Sequence, residues 1–152
     1  MRTLGIRVAP KCIYFSVIES NVAINILTVD SIHVPKALDV PRSLSFIRTT
    51  IISIIQEYGI TKAGMKVYEG NAQKTTPFRL NIEGVILELL ANSSVENYFE
   101  GYISSIAKRL ESKPQEIKAV LDGEQNPLEI PNWFQYKKEQ REAILTGLAT
   151  LF

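Results

Sequence analysis

Residues 3–9 (TLGIRVA) and 12–18 (CIYFSVI) are short runs of apolar, β-branched and aromatic residues separated by Pro10 and Lys11, a pattern that predicts a β-hairpin. A third run, residues 22–34 (VAINILTVDSIHV), follows the polar break at Ser20 and Asn21 and is closed by Pro35, giving three antiparallel strands. Beyond Pro41 the period changes. Leu44, Ile47, Ile51, Ile54 and Ile55 recur at spacings of three and four, the face of an amphipathic helix. Ser43 is its expected N-cap and Gly59 its expected stop. Residues 63–70 (AGMKVYEG) then predict a short buried strand ending at Glu69 and Gly70. A helix between two strands implies a right-handed crossover, which sets this fourth strand parallel to the first.

Residues 78–92 (FRLNIEGVILELLAN) predict a second, strongly apolar helix with Gly84 at its middle. Glycine there costs about 1 kcal/mol relative to alanine, so close packing against a neighbour is the expected compensation. Residues 93–103, with Val95, Tyr98, Phe99, Tyr102 and Ile103, predict a last strand. Residues 112–122 predict a short helix with Pro114 in its first turn, Pro127 and Pro131 mark a loop, and residues 135–152 form a closing helix with acids early and apolar residues late. The expected fold is α/β: a mixed sheet of three antiparallel strands followed by parallel strands, flanked by helices. That is the order of the ribonuclease-H-like fold, here in one domain over residues 1–152.

Composition narrows the function classes. Of 152 residues, 45% are hydrophobic and 22% charged, the balance of a globular domain. No basic stretch leads into an apolar core at the start, and no apolar run reaches the roughly 18 residues of a membrane span, so a cytoplasmic protein without membrane contact is expected. Cys12 is the only cysteine and His33 the only histidine, which leaves a zinc site or a Cys/His catalytic pair without support. Cys12, among apolar neighbours, is expected in the core, and His33, at a strand end, on the surface. The formal net charge is +1, so any binding of nucleic acid has to rest on how the bases are distributed.

The opening LGIRVAPKCIYFSVIE, the segment KVYEGNAQKTTPFRLNIEGVILELL with its acid at a strand end, the segment YISSIAKRLESKPQEIKAVL, and the helix start EQREAILTGLA together resemble the RuvC-type Holliday junction resolvases over nearly the whole chain. The resemblance implies catalytic acids at Glu69, Glu139 and Glu142, with Arg7 standing where the family has its first aspartate, and a homodimer for which Val85, Ile86 and Leu89 of the second helix are the candidate interface. In the chemistry so implied, two divalent cations about 4 Å apart activate water and stabilise a leaving oxygen, and carboxylates hold them. Glu139 and Glu142, at i and i+3, share a helix face, although acids in a first turn also suit the helix dipole alone.

Arg7 opposes that chemistry. A guanidinium stays protonated, and two unit charges about 4 Å apart repel by roughly 4 kcal/mol at an effective dielectric of about 20, doubled for a divalent ion. Metal binding is expected to be abolished, with Arg7 forming a forked pair with Glu69 or Glu142 instead. No cofactor is expected, magnesium entering only if nuclease activity survives. Lys74, Arg79, Lys108, Lys113, Lys137, Lys138 and Arg141 are candidate phosphate contacts. Trp133, Phe134 and Tyr136 either stack on bases or pin the closing helix to the core.

The expected function is a degenerate RuvC-like protein without nuclease activity that binds branched or other nucleic acid or serves as an interaction scaffold for a protein partner. The alternatives are an active metal-dependent junction endonuclease with a rearranged site, and a protein-binding module with no nucleic-acid role.

Overall fold

Alternation along the first strand decides what lies on each side of the sheet. In the computed structural model, which describes residues 1–69 and 76–152, β1 (Arg2–Val8) turns Leu4, Ile6 and Val8 into one hydrophobic cluster. Thr3, Gly5 and Arg7 face the other way, as the period of two requires. β2 (Cys12–Ser20) pairs antiparallel with β1, and β3 (Ile24–His33) antiparallel with β2. The chain crosses over through α1 (Val40–Tyr58) to β4 (Lys62–Lys66), parallel to β1. After α2 (Pro77–Ala91), β5 (Asn97–Gly101) adds parallel to β4. The sheet order is β3-β2-β1-β4-β5, the mixed sheet expected from the pattern.

The helices divide by face. α1 and α2 cover the side of Leu4, Ile6 and Val8, burying Ile47, Ile51, Ile55, Ile82, Ile86 and Leu89. The opposite face carries α5 (Lys138–Ala149), with α3 (Ile103–Arg109) and α4 (Pro114–Leu121) beside it. A second cluster forms there around Ile18, Ile106, Val120, Trp133, Ile144 and Leu148. Small residues set how closely α5 approaches: a Cβ on Gly5 would collide with the carbonyl oxygen of Ala143 and lie 2.8 Å from the Cα of Gly147. Thr3 Oγ1 and Ser16 Oγ donate to the Gly147 and Ala143 carbonyls at 2.8 and 2.9 Å, so the contact is polar as well as close.

Several expectations need correction. α1 begins at Val40, and its N-cap is Asp39, whose carboxylate accepts from Arg42 N at 2.9 Å. Pro41 needs no hydrogen-bond acceptor in that first turn, and Ser43 is an interior, buried position. Gly59 does end the helix, at φ 61° and ψ 48°, the left-handed region that favours glycine. Gly84 has no close neighbour to accommodate: a Cβ there would meet nothing within 4 Å outside its own helix. Ile86 and Leu89 are fully buried under α1 and the sheet, so they offer no surface for a second copy, and Val85 is half-buried. α3 was not expected: Ile103, Ile106, Ala107 and Leu110 repeat at three and four, but the run is too short to separate from the strand before it. The closing helix starts at Lys138, after a 3-10 turn at Trp133–Gln135. Among the described residues no helix is long and apolar enough to cross a membrane.

Candidate functional site

Parallel pairing of β1 and β4 sets Arg7 beside Lys66, and antiparallel pairing of β1 and β2 sets Tyr14 on the other side of Arg7. The row Tyr14, Arg7, Lys66 therefore lies across three strands, near their ends on the α5 side of the sheet. Arg7 reaches α5, where its Nε donates to Glu142 Oε2, and its Nη1 donates to the Val8 carbonyl. Lys66 is buried; its Nζ donates to Glu69 Oε2 at 2.8 Å and to the Val67 carbonyl at 2.6 Å. The same Glu69 oxygen accepts from the backbone N of Ile103 at 2.8 Å, tying the cluster to the start of α3. Each cation of the row thus has its own carboxylate, which offsets the cost of holding two like charges on neighbouring strands.

Around this pair of ion pairs lies a cleft of about 290 Å³, lined by Arg7, Lys66, Glu69, Lys138, Glu139 and Glu142 among others. The structure therefore brings together all three acids named from the sequence. Glu139 is half-buried and makes no ion pair among the described residues. Tyr14 sits at the edge of this charge. A hydrogen bond with Cys12, then burial, push its hydroxyl up to about 12, with Glu139 adding in the same direction and Arg7 opposing. Arg79, at the start of α2, is buried with its guanidinium 4.5 Å from the Tyr68 ring centroid, and donates to Glu83 Oε1 at 3.3 Å. Burial first, and the Arg7 charge next, push Arg79 below its ordinary value, while Glu83 and Glu142 act against the shift.

The remaining basic candidates separate. Lys137 and Lys138 are exposed at the start of α5, beside the cleft, with Lys138 Nζ 2.6 Å from Asp122 Oδ1. Lys108 is exposed at the end of α3, which begins at the cleft and runs away from it. The neighbouring Arg109 reaches the Ala149 carbonyl, at the far end of α5, about 18 Å along that helix. Lys113 is exposed at the start of α4, whose other end carries Asp122 back to Lys138, so it too stands away from the cleft. Arg141 is no surface residue: its Nε and Nη1 donate to the Leu121 and Tyr136 carbonyls at 2.7 and 2.6 Å, and its guanidinium faces Trp133. It is buried, and its hydrogen bonds hold the chain before α5. Lys74 lies outside the described residues. Trp133 is buried and donates to the Val120 carbonyl at 3.1 Å, Tyr136 is half-buried, and Phe134 is exposed. Of the three aromatics, Trp133 is thereby a pin for the closing helix. Cys12 is buried and His33 exposed.

Sequence reasoning missed Lys66. It closes a short strand that also begins with a lysine, Lys62, and its one signal is alternation: Gly64 and Lys66 share the α5 face, as Gly5 and Arg7 do.

The donor set does not fit the pair of divalent cations that a ribonuclease-H-like fold implies. Glu142 and Glu69 are each paired with a fixed cation, and the positive charge of Arg7 and Lys66 in the same cleft lining opposes a divalent ion. Among the described residues no group of three His, Cys, Asp or Glu side chains comes together to hold a metal ion.

No protein-family model matches the chain, and no curated protein sequence does. Solved structures match over almost its whole length. RuvC from Thermus thermophilus superposes with a TM-score of 0.73 at 13% identity, covering 98% of this chain and 92% of that one. T. thermophilus RuvC in complex with Holliday junction substrate gives 0.70 at 12%, with the same coverage. The yeast mitochondrial Holliday junction resolvase Ydc2 gives 0.57 at 14%, covering 98% of this chain and 78% of that one. At these identities the likeness is one of fold: a RuvC-like, ribonuclease-H-like mixed sheet flanked by helices.

Proposed function

We propose that this chain is a nuclease-inactive protein on a RuvC-like frame that binds branched or other nucleic acid. The observation that carries the inactive half is the row of Arg7 and Lys66, which neutralises Glu142 and Glu69 from within the cleft. On the resemblance to the resolvases, Arg7 stands in place of the first catalytic aspartate. Glu142 and Glu69 have then become the anionic half of a structural ion-pair cluster, with Glu139 beside them in the cleft lining, and no metal is required. Support for the nucleic-acid half comes from the fold shared with proteins named as Holliday junction resolvases, and from Lys138, which lines the cleft, with the exposed Lys137 preceding it in the chain.

A second reading, a protein-interaction scaffold, draws on one observation. The cleft lining opposes Arg7, Lys66 and Lys138 with Glu69, Glu139 and Glu142, so the cleft itself has little field to attract a phosphate backbone.

A labelled four-way DNA junction, incubated with the protein in magnesium and in manganese and titrated for binding at two salt concentrations, separates these readings. The expected result is no cleavage, with binding that weakens steeply as salt rises. Cleavage by the natural protein overturns the inactive assignment. Absence of binding at low salt transfers the assignment to the scaffold.

A further inference from the structure

A larger cavity, of about 630 Å³, opens at the same end of the sheet as the Arg7 cleft, where β1 and β3 end and β2, α1 and α2 begin. The β1–β2 turn contributes Pro10 and Lys11, the end of β3 His33, the linker to α1 Pro35 and Lys36, and the start of α2 Phe78. Its volume lies within the range of small-ligand sites. Its walls are apolar and partly flat, from two prolines and a phenylalanine, whereas its charged lining residues are lysines alone, beside one histidine. Among the described residues no carboxylate lines it. Neither Lys11 nor Lys36 is in an ion pair among the described residues, and the adjacent Asp39 is held by Arg42. This is the reverse of the Arg7 cleft, where every sign is balanced.

We propose that this cavity takes one unpaired nucleotide of a bound nucleic-acid strand, its ring against Pro10, Pro35 and Phe78 and its phosphate on Lys11 and Lys36. A bare inorganic anion would leave the apolar walls in water, and an uncharged ring would leave the two ammonium groups without a partner. A nucleotide meets both demands, by stacking on flat apolar surface and by charge-assisted hydrogen bonds to phosphate. The assignment rests on the nucleic-acid reading above and extends it, because it names single-stranded character as what the protein recognises beside its inert cleft.

Fluorescence anisotropy with three labelled DNAs tests this: a blunt duplex, the same duplex with a short single-stranded overhang, and a four-way junction. Each is titrated with the natural protein and with Lys11→Ala/Lys36→Ala, whose exposed side chains can be removed without touching the core. The overhang is expected to bind about tenfold more tightly than the blunt duplex, the scale of one stacked base. The double variant is expected to lose that advantage while keeping its melting temperature and its affinity for the blunt duplex. An overhang that confers no advantage, or an advantage that survives in the double variant, overturns the assignment; if the junction still binds, the nucleic-acid reading stands without it. Binding of none of the three overturns both.

Discussion

Arg7 on β1 and Lys66 on β4 are register partners in the parallel ladder, so two cations stand side by side on the sheet face that α5 covers. Adjacent strands are about 4.8 Å apart, close enough for the two charges to repel, and Glu142 and Glu69 resolve the repulsion one to one. The cluster joins the first strand to the last helix, since Arg7 and Glu142 are 135 positions apart.

That pair is mostly withdrawn from water, with 15% and 10% of its side chains exposed. Removing one partner leaves a charge without its counterpart, so Arg7→Met and Glu142→Gln are each expected to cost about 3 kcal/mol. The double variant should cost clearly less than the sum, with a coupling of at least about 1 kcal/mol. Urea unfolding of the four proteins measures it, and strict additivity would show that the contact contributes nothing.

Magnesium or manganese is expected to leave the melting temperature of the natural protein unchanged. Arg7→Asp alone should behave the same way, because Lys66 still neutralises Glu69. Arg7→Asp combined with Lys66→Ala leaves four carboxylates lining the cleft, the new one at position 7 with Glu69, Glu139 and Glu142, and its melting temperature should rise by several degrees in manganese, as a ligand that binds only the folded state requires. A metal-dependent rise in the natural protein would mean that the ion pairs open for a cation.

Two glycines should respond in opposite directions. Gly5→Ala drives a methyl into the α5 backbone at Ala143 and Gly147 and is expected to cost more than about 3 kcal/mol, as overpacking against backbone does. Gly84 is exposed within α2 with open space around it, so Gly84→Ala should stabilise by about 0.5–1 kcal/mol. Thermal unfolding of both variants checks the signs.

Arg141 and its neighbours at the start of α5 should separate stability from binding. Arg141→Ala removes two charged hydrogen bonds to carbonyls and is expected to cost at least about 2 kcal/mol. Lys137→Ala/Lys138→Ala should change stability by less than about 1 kcal/mol and reduce the salt dependence of DNA binding by nearly two phosphate contacts. Weakened DNA binding by Arg141→Ala at unchanged stability would reverse its assignment.

The Tyr14 hydroxyl holds its proton more tightly in the folded protein, at about 12 against an ordinary 10.0. Between those values the unfolded chain releases the proton first, so this group's contribution is complete below about pH 10 and lost as the pH rises towards 12. Absorbance at the tyrosinate band should show one late-titrating tyrosine. Cys12→Ala, which removes the largest cause of the shift, should bring it earlier; an unchanged midpoint would reject the hydrogen bond as that cause.

Element type and order are legible along the chain because they depend on neighbours within a few positions. The apolar period of α1, the glycine at its end and the β-branched, apolar runs of β1 and β2 each predict the observed element, and the crossover rule then sets β4 parallel to β1. Where local signals compete, as between Ser43 and Asp39 for the cap, or between strand and helix at residues 97–109, one pattern does not choose.

By itself, then, the sequence determined the mixed α/β order, the acids Glu69, Glu139 and Glu142, and the presence of an arginine where the resemblance requires an acid. Only the tertiary structure decided which cation meets which carboxylate. Strand register brought Lys66 beside Arg7, and the small residues under α5 brought Glu142 within reach. It also decided that Arg141, Ile86 and Leu89 turn inward. The physical reason is that register and helix approach are set by packing summed over a whole face of the sheet, whereas a local pattern reports only the residues within a turn or two of itself.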